Sequence, residues 1–272
     1  MSALPTQIGA LAKRSIMRTA RQPASAIPPL IFPVALLLVN AGGLKASTGL
    51  PGFPTDSFLA FALAVPFIQG ALFSTMNAGT DLARDIQTGF FSRLSLTPVR
   101  GSALLAGQLT GIVVLGVLQA VFYISVGLLL GVRFAAGPAG IALLIVYAAL
   151  VAVGFGALGS FLALRTGSGE SIQGLFPVLF VFLFISSMNT PRNLIAVDWF
   201  RFLASINPVS YLIECVRSLI ITGWDARALA LGFGIATVLA VVALVAASWA
   251  LGQRMERTGD SGRLPLGSRG GR

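Results

Sequence analysis

Histidine is absent from this 272-residue chain, cysteine occurs once, at Cys215, and charged residues make up only 10%. Each scarcity closes a class of function. Without histidine, and with a lone cysteine, there is no Cys/His constellation for zinc and no internal disulfide. Lysine occurs only at Lys13 and Lys45, neither inside a G-x-x-x-x-G-K-[ST] phosphate loop, so the chain does not supply its own ATP site. A net charge of +10 could suggest nucleic acid. No basic patch is interleaved with base-stacking aromatics, however, and basic residues also gather on the cytoplasmic side of membrane proteins, so no nucleic-acid partner is expected. The N-terminus lacks a continuous apolar segment after its basic residues and does not read as a cleaved signal peptide. Charge this sparse, against about 25% in soluble domains, together with 56% hydrophobic residues and a mean hydropathy of +0.87, assigns the chain to the bilayer.

What the chain has instead is long stretches without charge. A helix needs about 20 apolar residues to cross a hydrocarbon core about 30 Å thick. Six runs qualify, at about 24–44, 57–79, 102–131, 138–164, 171–190 and 228–251. The expectation is an all-α integral membrane protein with one permease domain over 1–253. Pro33 implies a kink in the first span, because it removes a backbone donor and crowds the preceding turn. With the N-terminus inside, thirteen Lys and Arg fall on the inner side and six on the outer, so both termini are expected in the cytoplasm of a multi-pass plasma-membrane protein. Residues 254–272 are rich in Gly and Arg and read as a disordered basic tail that can touch anionic lipid. Ahead of the first span, Ile8, Leu11, Ala12, Ser15, Ile16 and Thr19 share a helical face. They predict an amphipathic helix lying on the inner membrane surface.

Two segments break the apolar pattern. Between the second and third spans, Thr80 to Gly107 carries Asp81, Arg84, Asp85, Arg93 and Arg100. Leu82, Ile86, Phe90 and Leu94 recur every four residues, predicting a short helix along the cytoplasmic surface. Thr80 would cap its start, Asp81 and Asp85 would sit at the positive end of its dipole, and Pro98 would end it. A plain solvated loop whose charges only fix topology also fits. Before the last span, Met188 to Trp224 is too charged to cross and too apolar to float free. Two short helices entering the outer leaflet, broken at Asn207-Pro208, fit it, as does an external loop folded over the bundle.

Together these stretches resemble the permease subunits of ATP-binding-cassette exporters of the second type, close to the daunorubicin-resistance-like branch. DLARDIQTGFFSRLSLTPVRGSALLAGQL looks like the family's acidic, glycine-containing loop, with Asp85 standing where the family usually has Glu. INPVSYLIECVRSLI resembles its Asn-Pro, aromatic, acidic, Arg run. The resemblance implies that the cytoplasmic helix between spans two and three is a coupling element seated in a cleft of an ATPase subunit. Asp81, Arg84, Asp85, Gly89, Phe90, Phe91 and Arg93 would carry that contact. Asn207, Pro208, Tyr211, Glu214 and Arg217 would form the external re-entrant hairpin. It further implies two ATPase copies, a second permease copy or a related permease, and no cofactor on this chain, with ATP and Mg bound by the partner.

The spans contain few polar groups. Gln69, Asn77, Ser187 and Asn189, with Phe180 and Phe184, are candidate substrate-path residues, although single phenylalanines equally suit a lipid-facing surface. Ion and proton pathways usually depend on an ionisable residue at midspan, and none sits there. A lipophilic or amphiphilic cargo is therefore expected, with an ion-coupled secondary transporter as the alternative and Glu170, at a span edge, as its nearest carboxylate. An intramembrane enzyme lacks a nucleophile and base. Gly127 and Gly131 form a GxxxG pair that more often marks packing within one subunit than a dimer seam.

Overall fold

The computed structural model describes residues 3–21, 23–89 and 101–261. These residues form helices and turns, with no strand among them. In chain order the helices are α1 (Ala3–Arg21), α2 (Pro23–Gly43), α3 (Phe58–Ala62), α4 (Ala64–Gln87) and α5 (Gly101–Leu129). There follow α6 (Gly137–Thr166), α7 (Gly169–Phe184), α8 (Asp198–Ile206), α9 (Pro208–Ile221) and α10 (Ala226–Ser261).

Local chemistry sets the boundaries. Ser57 Oγ accepts from the Ala60 amide at 3.3 Å to start α3, and Asn207 Oδ1 accepts from the Val209 amide at 2.9 Å to start α9. Gly131, Gly167 and Gly223 follow the ends of α5, α6 and α9 with φ of 82°, 66° and 90°, a conformation that side chains resist. Pro66 cannot donate to the Ala62 carbonyl, and the helix is interrupted at Leu63 between α3 and α4.

Among the described residues, four stretches are long and apolar enough to cross a membrane: Phe58–Gln87, Ala103–Leu129, Gly137–Thr166 and Ala226–Met255. Ile27–Gly43 and Gly169–Phe184 are apolar but shorter. The share of each apolar window buried inside the chain is 83% for Phe58–Gln87 and 22% for Ala226–Met255, so α4 is the axis of the bundle and α10 its rim. Around α4 stand α2, α5, α6, α7 and α9. It crosses α6 backbone to backbone: a Cβ on Gly159 would lie 2.0 Å from the Thr75 carbonyl oxygen, and one on Gly79 would lie 2.9 Å from the Gly159 carbonyl oxygen. Only glycine permits this approach.

Pro33 stands within α2 and leaves the Pro29 carbonyl, four residues earlier, without its helical donor. Tyr123 of α5, 1% exposed, donates its hydroxyl to that carbonyl. The hydrogen-bond gap that Pro33 leaves in α2 is thus filled from a neighbouring helix.

Three sequence expectations need correction. First, α4 does not stop where charge begins: Thr80, Asp81, Arg84 and Asp85 lie in its last turns rather than at the start of a separate helix. Thr80 therefore caps nothing, and the two carboxylates face the negative end of a helix dipole instead of the positive end. Second, α1 does not stand apart from the bundle: it packs on α5. A Cβ on Gly107 would stand 2.4 Å from Leu11 Cβ, and one on Gly111 would stand 2.0 Å from Ser15 Oγ. This GxxxG pair is the seat of α1. Gly127 instead meets Leu63 of the same chain, and Gly131 lies beyond the end of α5. Third, α10 continues past Gln253 to Ser261, so helix occupies the start of the expected tail.

Candidate functional site

The first candidate site is built on the end of α4. Asp85 is gripped by Arg14 of α1, with Nη1 to Oδ2 at 3.0 Å and Nη2 to Oδ1 at 2.9 Å. This cation offsets the unfavourable dipole. α4 ends at Thr88, whose amide and hydroxyl both donate to the Arg84 carbonyl at 2.9 Å, followed by Gly89 at φ 70°. Gly89 thus terminates the helix, and among the described residues no atom lies within 4 Å of where its Cβ would be. Phe90, Phe91 and Arg93 lie outside the described residues. Under α1 a cavity of about 50 Å³ is lined by Arg14, Ser15, Ser74, Asn77, Asp81, Asp85 and Gln108, among others.

The same end of α4 is joined to its neighbours. Gln87 Nε2 donates to the Gly167 carbonyl at 3.2 Å, and Arg254 of α10 donates to the Leu164 carbonyl at 2.6 Å. Both acceptors belong to the C-terminal turn of α6, where carbonyls lack helical donors. Arg165 stacks over Trp249 at 5.3 Å and donates to Gln253 Oε1 at 3.3 Å. The ends of α4, α6 and α10 therefore form one junction.

At the opposite end of the bundle, α8 and α9 are two consecutive helices joined at Asn207-Pro208. Asn207, 5% exposed, caps α9 with Oδ1, while its Nδ2 donates to the Phe182 and Ile185 carbonyls at 2.6 and 2.7 Å. One side chain thereby satisfies a helix start and a helix end. Arg217 is 7% exposed and donates to the carbonyls of Phe61, Ser187 and Met188 at 3.2, 3.0 and 3.1 Å, its guanidinium 3.5 Å from the centre of the Phe61 ring. Three carbonyls and the face of the Phe61 ring thus surround its buried charge. Glu214 is held bidentately by Arg192, at 2.7 and 2.6 Å, and Arg192 lies 4.3 Å over the Tyr211 ring. Tyr211 in turn donates to the Ser205 carbonyl at 2.7 Å, closing α8 on α9.

The candidate path residues do not converge on one cavity. Phe180 and Phe184 belong to an aromatic ladder with Phe32, Phe73 and Phe176, spanning α2, α4 and α7. Asn77 lines the cavity under α1, and Ser187 is packed against Ser210. Gln69 Oε1 and Asn189 Oδ1 are buried with no donor. Glu170 lies exposed in the first turn of α7. Sequence reasoning missed Arg14, Gln87, Arg192 and Arg254 as partners, and Gly107 with Gly111 as the seat of α1. Only the glycine pair had a local signal, its GxxxG spacing.

Helices long enough to cross a bilayer, a polar junction at one end and a charged helix pair at the other define a multi-pass membrane protein. Comparison with known proteins narrows the class. The model of the ABC-2 type transporter family matches residues 6–221, and the chain belongs to that family. The daunorubicin resistance ABC transporter permease protein DrrB1 of Streptomyces coeruleorubidus is 29% identical over 219 residues, covering 76% of this chain and 72% of the relative. The putative transport permease ycf38 of Porphyra purpurea is 28% identical over 215 residues, covering 78% and 72%. Its counterpart in Pyropia yezoensis is 27% identical over 216 residues, covering 78% and 73%. Membership makes the chain the membrane subunit of an ABC transporter and implies an ABC ATPase as partner.

Proposed function

We propose that the chain is the membrane-spanning subunit of an exporter for lipophilic or amphiphilic molecules, with six crossings, both termini cytoplasmic, and a re-entrant hairpin at the outer face. Two such subunits, or one with a related permease, would work with two ATPase subunits that bind ATP and Mg. The observation that carries this reading is the continuity of α4. Its 24 residues span about 36 Å, from the Arg217-bound Phe61 carbonyl just before its start to the Arg14-bound Asp85 near its end. A displacement imposed at Asp85 would be transmitted along the most buried of the four long apolar stretches to the outer hairpin.

Other features support the details. At 16 residues α7 reaches about 24 Å, short of the roughly 30 Å core. Asn207 and Arg217 meet carbonyls at and beyond its end, which lets a short crossing finish inside the membrane without exposing backbone to lipid. Val181, Phe182 and Phe184 of α7 and Ile31 of α2 are 51–55% exposed, an apolar surface suited to cargo or to a second copy. A relative named for daunorubicin resistance supports a drug-like cargo. Ion-coupled transport is less well supported, since Glu170 lies exposed at a helix start.

The test is reconstitution. The purified chain should hydrolyse no ATP alone. Addition of its ATPase should give hydrolysis stimulated by an exported amphiphile and ATP-dependent accumulation of that amphiphile in inverted vesicles. ATP turnover by the chain itself would overturn the assignment.

A further inference from the structure

Gln119 of α5 is 3% exposed, and its Nε2 has no acceptor. Lipid offers none, and an unmet amide donor within a span is strongly unfavourable. Gln119 lines a cavity of about 10 Å³ together with Ser74, Tyr123, Phe67, Gly116 and Ala152, among others. That is the space of one water molecule. The two hydroxyls on its wall have already committed their hydrogens: Ser74 Oγ donates to the Gly70 carbonyl at 3.1 Å, and Tyr123 donates to the Pro29 carbonyl. Each oxygen keeps lone pairs that can accept. One donor lacking an acceptor and two available acceptors therefore surround a water-sized space, and they match the bonding capacity of a single water.

Ser74 also lines the 50 Å³ cavity beneath α1, whose wall continues through Asn77, Gln108 and Asp81 to Asp85. Ser74, Asn77, Asp81 and Asp85 are spaced three and four apart on α4 and share one face. A polar seam between α4 and α5 thus runs from the end of α4 to Gln119.

We propose that this seam is a hydrated crevice entered from the Asp85 end. A single water bound at its head accepts from Gln119 Nε2 and donates to Ser74 Oγ and Tyr123 Oη. The water joins α5 to α4 and, through Tyr123 and Pro29, to the hydrogen-bond gap that Pro33 leaves in α2. These helices can then shift against one another by exchanging hydrogen bonds with a mobile molecule, without opening apolar packing. The inference does not depend on the cargo or on the number of ATPase copies.

Hydroxyl-radical footprinting of the full chain in lipid nanodiscs, read by mass spectrometry, tests it with an internal control. Tyr123 and Tyr147 are both 1% exposed, but Tyr147 bonds to the Leu212 and Gly232 carbonyls and lines neither cavity. Radicals form from water, so Tyr123 should oxidise several-fold faster than Tyr147. Equal rates would overturn the proposal. Gln119→Leu, which removes the donor at similar volume, should bring Tyr123 down to the Tyr147 rate. Where that variant does not fold, Ser74→Ala should lower the ratio in the same direction. An unchanged ratio in a folded variant would overturn the assignment of the water to these groups.

Discussion

Arg14 holds both carboxylate oxygens of Asp85 across 71 residues of sequence, tying the N-terminal helix to the last turns of α4. The Arg14 side chain is 41% exposed and that of Asp85 16%, so the pair adds at most about 1 kcal/mol to stability. Its importance would lie in orientation. Arg14→Asp and Asp85→Arg should each leave folded protein close to wild type while weakening co-purification with the ATPase and lowering efflux. The double exchange should recover most of both. Single variants with normal capture and normal efflux would reduce the pair to a surface contact.

The contact between Tyr123 and Pro29 makes a second prediction. Tyr123→Phe leaves a buried carbonyl without a donor and should cost about 1–3 kcal/mol. Pro33→Ala restores the amide that Pro33 lacks, so in that background Tyr123→Phe should cost clearly less. Thermal unfolding of the four proteins gives the coupling directly. Additive losses would mean that the hydroxyl does not serve the gap left by Pro33.

Parts of this architecture were legible in the sequence, and the reasons are local. The break at Asn207-Pro208 needs only an N-cap residue followed by proline, and the missing helical donor at Pro33 needs only one residue. The partners of Asp85, Glu214 and Arg217 had no such signal. Arg14 and Arg192 are remote in sequence, and the acceptors of Arg217 are backbone carbonyls, which any residue carries. The charged block misled for a physical reason. Charge beginning at Asp81 marks where hydrocarbon would end, but backbone hydrogen bonding does not need hydrocarbon, so α4 runs on to Gln87. Gly107 and Gly111 show the same spacing as Gly127 and Gly131, and only tertiary packing distinguishes the pair that receives α1.

The crossing of α4 and α6 depends on a missing side chain. Gly159→Ala would set a Cβ about 2.0 Å from the Thr75 carbonyl oxygen, forcing the backbones apart. We expect a loss of about 1–3 kcal/mol and lower transport per folded molecule. Gly174→Ala in α7, with no atom within 4 Å of its Cβ position, serves as the control. It should be neutral or stabilising by up to about 1 kcal/mol. A Gly159→Ala variant as stable as the control would show that the helices can separate freely at this point.

Orientation can be read by cysteine labelling. Cys215 is fully buried, so it is inaccessible to the reagent and can be left in place. A cysteine at Ser47 should react with an impermeant thiol reagent in intact cells, and one at Ser268 should react only after lysis. The opposite pattern would invert the topology.

The α8–α9 segment, the hairpin of the proposed reading, has two kinds of fastening, and their depths predict different consequences. Arg217 is buried and serves three carbonyls at once, from the α3–α4 break and from just beyond the end of α7. Glu214 and Arg192 are 24% and 27% exposed at the mouth, where water screens their attraction. Arg217→Met should therefore cost about 3 kcal/mol or more by leaving buried carbonyls unmet. Arg217→Lys should recover little, since one ammonium cannot replace a planar fork directed at three acceptors. Glu214→Gln should cost about 1 kcal/mol or less. Because the hairpin lies at the far end of the bundle from Asp85, the folded fraction of each variant should still capture the ATPase, while efflux falls with the loss of the hairpin. Unfolding midpoints, ATPase co-purification and efflux measured on the same preparations separate these effects. If Glu214→Gln proved as damaging as Arg217→Met, the hairpin would be held by the ion pair at its mouth and not by the carbonyls beneath it.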